Sequence, residues 1–357
     1  MTAQVKRSSL LGGHKWLWLS LVSLNLVLVW AALILPTAPG LPSMENIQLL
    51  QAFSEALFPS ADWRLTPLAA LEQQILMELK LPRAILALSV GCSLGLVGAS
   101  LQGLLHNPLA EPGILGISSA GALGATLTFY SGLAATLPMA VPLGGIAGAA
   151  IATLGLFLLA GRQAHTATLI LAGIAINALA GGLTSLVLNL SPNPFAAMEI
   201  IFWQMGSLAD RSMSHVWLSL PLMLLGWVSV GAAARSLRAL ALGEFTARSL
   251  GISMPMVRLQ IIGGAALAVG AAVAVTGVIG FVGLIVPHVL RSVVKQDPAV
   301  LLPASALGGA ALVTAADLAV RLLPLQVELK IGVLTALIGA PFFFYLIARQ
   351  RNTADAN

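Results

Sequence analysis

RAILALSVGCSLGLVGASLQGLL, residues 83–105, is a run of 23 residues whose only charge, Arg83, stands at its first position. As a helix it would rise roughly 35 Å, enough to cross the ~30 Å hydrocarbon core of a bilayer. Apolar runs of the same kind recur at 16–35, 114–133, 139–160, 167–190, 215–233, 257–277, 278–294, 299–320 and 331–348, making ten in all. The composition of the 357 residues agrees: 58% are hydrophobic and 9% charged, with a mean hydropathy of +0.94, against about 25% charged in a soluble domain. An all-α, polytopic membrane protein is expected, with about ten transmembrane helices in one domain spanning 1–357. Two runs join at Gly277 through TGVIGFVGLIVPH (276–288), where the glycines and Pro287 predict a broken helix.

The few charges set the orientation. With the N-terminus inside, 12 of the 18 basic residues but only 4 of the 13 acidic ones fall on inner segments, giving +8 inside and −3 outside. That asymmetry follows the positive-inside rule and predicts N-in, C-in. It also assigns the net charge of +5 to cytoplasmic loops rather than to a nucleic-acid surface. The first run carries Trp16, Trp18 and Trp30 near its ends and is too long for a signal-peptide core, so it reads as a retained span. Between the first two spans lies an outer loop, 36–80, in which Thr66-Pro67 reads as a helix start. Leu68, Leu71, Ile75 and Leu79 would form an apolar stripe opposite Glu72, Gln73, Gln74 and Glu78, giving a helix lying on the outer interface.

Several chemistries are missing. None of the five lysines follows a glycine, so there is no GxxxxGK[ST] phosphate loop. The five histidines are scattered without HExxH spacing and Cys92 is the sole cysteine, so neither catalytic residues nor a metal site are expected. Asp317 is the single deep acid. Four residues before Arg321, it reads as one member of a helix-face pair, with a proton relay as the alternative. Gly91 with Gly95, Gly144 with Gly148, and the run Gly263–Ala266 mark places where helix backbones can approach closely.

Three segments are too polar or too broken for their surroundings. HNPLAEPGILGISSAGALGA (106–125) has Pro108, Glu111, Pro112 and Gly113 in a tight re-entry. ALGEFTARSLGI (241–252) is a short amphipathic helix between spans six and seven, and GVIGFVGLIVPHVLR (277–291) is the broken stretch. Together with DLAVR (317–321) and IGVLTALIGAPFFFYL (331–346), these resemble the permease subunits of type II ABC importers, which take up iron–siderophore chelates, haem and vitamin B12.

The resemblance covers residues 80–345 and implies the type II importer permease fold. It further implies an inner-membrane location, a second permease copy in a homodimer, two cytoplasmic ATP-binding subunits that hold the ATP, and a periplasmic substrate-binding protein. The chain itself would need no cofactor and perform no enzymatic step, with membrane lipid as its surroundings. By the same resemblance, 241–252 is a cytoplasmic coupling loop in which Gly243, Glu244, Ala247, Arg248 and Gly251 would meet the ATPase. Lys80, Arg83 and Arg321 would dock the binding protein outside. Asn107, Pro108, Glu111, Pro112 and Gly113 would shape a cytoplasmic gate, and Asn177 and Asn189 would line the pathway. Two departures from the family pattern stand out: Lys330 where a proline is usual, and the order Ser118-Ser119-Ala120-Gly121. A proton-coupled carrier and an intramembrane enzyme are the alternatives of other classes.

Overall fold

The computed structural model describes residues 14–36, 44, 48, 73–161, 165–191, 193–294, 297–323 and 329–354. In chain order the principal helices are α1 (Lys15–Ile34), α2 (Ile75–Leu104), α3 (Ile117–Tyr130), α4 (Ala140–Ala160), α5 (Thr166–Asn189), α6 (Pro194–Gln204) and α7 (Met213–Ala232). They continue with α8 (Ala234–Leu240), α9 (Glu244–Ser249), α10 (Met254–Thr276), α11 (Val282–Val294), α12 (Pro298–Leu322) and α13 (Ile331–Ala354). No strand occurs among the described residues.

Each of the ten apolar runs becomes a helix, but among the described residues seven helices are long and apolar enough to span: α1, α2, α4, α5, α7 with α8, α10 and α12. The runs at 114–133 and 278–294 form shorter helices because turns consume their ends. Gly116, at φ 75°, starts α3, and Gly277, at φ 74°, closes α10 ahead of an unhelical link to α11. In the last run the apolar part, Ile331–Tyr345, is likewise short.

Three other expectations are corrected or bounded. The second span begins at Ile75, not 83, through a π-helical turn over Ile75–Lys80, so Glu78 and Leu79 belong to the span rather than to an interfacial helix. The start of that expected helix, Thr66 to Glu72, lies outside the described residues. Pro287 does not break the chain but sits inside α11. A proline there has no N–H for the carbonyl of residue 283, and Gln102 Nε2 donates to Gly283 O instead, at 3.2 Å. Arg291 Nη2 in turn donates to Gln102 Oε1 at 2.7 Å.

α2 is the axis of the bundle, with 83% of its apolar window buried, against 22–33% for α1, α4, α5 and the α7–α8 pair. Gly91 and Gly95 face the backbone of Ser305 and Gly309 in α12, and a Cβ at either glycine would collide with it. Gly144 and Gly148 do the same against Ala120 and Gly124 of α3, and Gly264 against Gly226 of α7. All these small-residue contacts lie within the one chain, where close approach replaces the hydrophobic drive that lipid removes. Polar pins add to them: Trp227 Nε1 donates to Ser93 Oγ at 2.8 Å and Asn25 Nδ2 to Leu307 O at 3.0 Å. The outer helices leave Leu154, Leu158, Leu225 and Val228 exposed, as expected of a lipid-facing surface.

Candidate functional site

Between α8 and α10 the chain makes a compact loop on the inner side of the charge-set orientation. Gly243, at φ 101°, opens it and Gly251, at φ 80°, closes it; both are conformations that only glycine adopts freely. Glu244 and Arg248 pair at 2.6 Å across one turn of α9, and Arg258 Nη2 approaches the same carboxylate at 3.6 Å. Ala247 is fully buried, so it seats the loop on the bundle and presents nothing outward, unlike the surface contact expected of it. Phe245, 86% exposed, stands out beside Leu242 and Leu250. These apolar residues are the loop's outer face. Their signal in the sequence was an apolar stripe with no neighbouring span to cover it.

The turn after α2 is equally determined. Asn107 Oδ1 accepts from Leu109 N at 2.9 Å, and Asn107 O from Ala110 N at 3.1 Å. Pro108 follows within this turn, and Pro112 opens the 3-10 helix Pro112–Leu115. Glu111 Oε2 accepts from the backbone N of Phe281, 170 residues on, at 3.3 Å. That bond joins the turn to the link between α10 and α11. Burial pushes the Glu111 carboxyl above its ordinary pKa, against the smaller opposing pull of the Phe281 N–H.

Glu111 and Gly113 line a cleft of about 720 Å³ together with Ser118, Asn177, Thr184 and Gln204. The structure therefore brings the gate turn and one of the two lining asparagines to one place. Asn189, the last residue of α5, is exposed and does not line that cleft. Both departures from the family pattern are accommodated: Ser119 Oγ donates to Gly116 O, and Lys330 O accepts from Val333 N and Leu334 N in the first turn of α13.

The outer basic residues have another occupation. Lys80 is fully buried, its Nζ donating to Leu33 O and Ile34 O at 2.8 and 2.9 Å, the last carbonyls of α1. Arg83 Nε donates to Asp317 Oδ1 at 2.9 Å, Arg321 Nη2 pairs with Asp317 Oδ2, and Arg321 Nη1 donates to Ala32 O at 3.0 Å. With Lys80, Arg83 and Arg321 at 0%, 5% and 6% exposure, none offers the surface that docking requires. Helix-end carbonyls and a buried carboxylate both need partners, and these three cations supply them, binding α1, α2 and α12 together.

The model of one family, described as the FecCD transport family, matches residues 26–349. The chain belongs to that family. This FecCD chain is 39% identical over 287 residues to the hemin transport system permease protein HmuU of Yersinia pestis, covering 78% of this chain and 84% of that one. It is 42% identical over 282 residues to the cobalamin import system permease protein BtuC of Halobacterium salinarum, covering 77% and 73%. A solved inward-facing structure of a metal-chelate type ABC transporter superimposes with a TM-score of 0.78 at 29% identity, covering 94% of the FecCD chain and 99% of that chain. The turn, the loop and the cleft thus sit in a permease fold.

Proposed function

We propose that this chain is the membrane pore of an ATP-driven importer in the inner membrane, working as a homodimer. Two separate cytoplasmic ATPase subunits would energise it, and a periplasmic binding protein would deliver its cargo. The observation that carries this is α9, a six-residue helix fixed between two positive-φ glycines, with an ion-paired flank and an outward apolar face carrying Phe245. A short rigid rod joined to α10 by four residues can pass the rotation of a docked domain to the spans. The pathway is the Glu111–Asn177 cleft, which a second copy would complete on the face of α5. The chain supplies no catalytic group and no cofactor, and ATP stays with the partner.

The cargo we propose is a ferric siderophore or haem. Vitamin B12 is the second reading, because the haem and cobalamin permeases resemble this chain about equally. Reconstitution with an ATPase subunit and a binding protein tests both, by following uptake of a ferric hydroxamate, haem and cobalamin. Changing Glu244 and Arg248 together to alanine should abolish stimulated ATP hydrolysis and uptake, whereas undiminished coupled hydrolysis would count against α9. Uptake without any ATPase, lost on Asp317→Asn, would favour the proton-coupled carrier.

A further inference from the structure

We infer that His106 is a positioning residue that ties the coupling loop to the gate turn; the inference rests on the pore reading above. His106 stands just past Leu105, the residue that caps α2, and holds a left-handed backbone, φ 49°, uncommon for any residue but glycine. Its Nε2 lies 3.1 Å from Leu240 O. A carbonyl only accepts, so Nε2 carries the proton and donates. Leu240 ends α8, and its carbonyl also accepts from Gly243 N at 2.9 Å. One oxygen therefore serves both His106 and the glycine that opens the coupling loop.

The other end of the same turn reaches the pathway. Five residues after His106, Glu111 lines the cleft and holds Phe281 N at the junction of α10 and α11. The bonds at Asn107, together with Pro108 and Pro112, stiffen the intervening turn. Displacement of Gly243 moves Leu240 O, His106 follows, and the turn carries the movement to Glu111.

A cavity of about 390 Å³ lies beside this tie, lined by His106, Leu237, Ala241 and Arg291. Packing between α2 and α8 is therefore incomplete here, and the imidazole reaches across what the apolar contacts leave open. The exposed side of the tie makes it unimportant for holding the fold but well placed to set how faithfully the two parts move together.

The test is uptake per ATP hydrolysed, measured in the same proteoliposomes containing permease, ATPase and binding protein. A part-buried neutral hydrogen bond contributes about 1 kcal/mol, or roughly fivefold in an equilibrium. His106→Ala should therefore hydrolyse ATP within about twofold of wild type while uptake per ATP falls about fivefold. His106→Gln, whose amide N–H can donate to the same carbonyl, should restore the ratio. An unchanged ratio in His106→Ala, or an equal loss in His106→Gln, would overturn the assignment. So would failure of His106→Ala to assemble, because a single peripheral bond does not hold a bundle. Wild-type complexes without ATP-dependent uptake would instead refute the pore reading, whatever the variants do.

Discussion

Replacing Asp317 by asparagine probes the heart of the outer cluster. The carboxylate is fully buried, with Arg83 Nε on Oδ1 at 2.9 Å and Arg321 on Oδ2. Asparagine keeps the shape, removes the charge that compensates two buried guanidiniums, and turns one acceptor into an NH2 donor facing a donor. Breaking a buried ion pair from one side destabilises by about 3–5 kcal/mol. The neighbouring pair should show coupling: Arg83→Leu combined with Asp317→Leu should be less destabilising than the sum of the two single changes by about 1 kcal/mol or more. Denaturant titration in mixed micelles, followed by tryptophan fluorescence, measures both quantities. A loss in Asp317→Asn below about 1 kcal/mol, or strict additivity in the double variant, would refute the view that these charges bind α1, α2 and α12. Full stability with lost uptake would point to the proton relay instead.

Other outcomes follow from the inner face. Phe245→Ser should leave the fold intact, because the ring is 86% exposed, yet weaken ATPase binding by about tenfold or more, the scale of burying one aromatic side chain, as read by titration of the purified subunits. Gly116→Ala places a Cβ at φ 75° against Ile176 and the backbone of Asn177. It should lower stability by about 1–3 kcal/mol through backbone strain and reduce uptake, both measurable on one preparation. Glu111 has its pKa raised by burial, so the folded protein binds that proton more tightly than the unfolded chain. Stability should therefore be greatest at low pH for this group and fall as pH rises from the ordinary carboxylate range through the raised value, no more steeply than about 1.4 kcal/mol per pH unit. Glu111→Gln should remove that slope from a melting-temperature profile, and an unchanged slope would show that another group causes it.

Spans are readable from sequence because lipid demands them: a run such as 83–105 has no other stable form in a bilayer. Local punctuation was equally plain at Gly277, where only glycine takes the observed backbone easily; Gly243 and Gly251 do the same at the ends of the coupling loop without having been read as turns. Long-range pairing was not. Lys80, Arg83 and Arg321 look like an exposed basic rim until α1 and Asp317 are placed beside them, and Asp317 lies 234 residues from Arg83. The Glu111 bond to Phe281 and the tie from His106 to Leu240 are hidden in the same way, across 170 and 134 residues. Helix α6 is a different kind of miss. Asn193-Pro194 is a helix-start signal, confirmed by Asn193 Oδ1 accepting from Phe195 N at 2.9 Å, but eleven residues are too few to stand out among spans. Pro287 misled because a proline's missing donor can be made good by a side chain, here Gln102, that no local pattern announces.

The outer cluster also has a history within each molecule's synthesis. Arg83 is made 234 residues before the aspartate that neutralises it. At about 5–20 residues per second, that leaves roughly 10–50 s between the two. Lys80 can settle at once on the carbonyls of α1, already made, but Arg83 must wait near the bilayer with its charge unanswered. A guanidinium in lipid without its carboxylate is costly, so the final packing of α2 against α12 waits on residue 317.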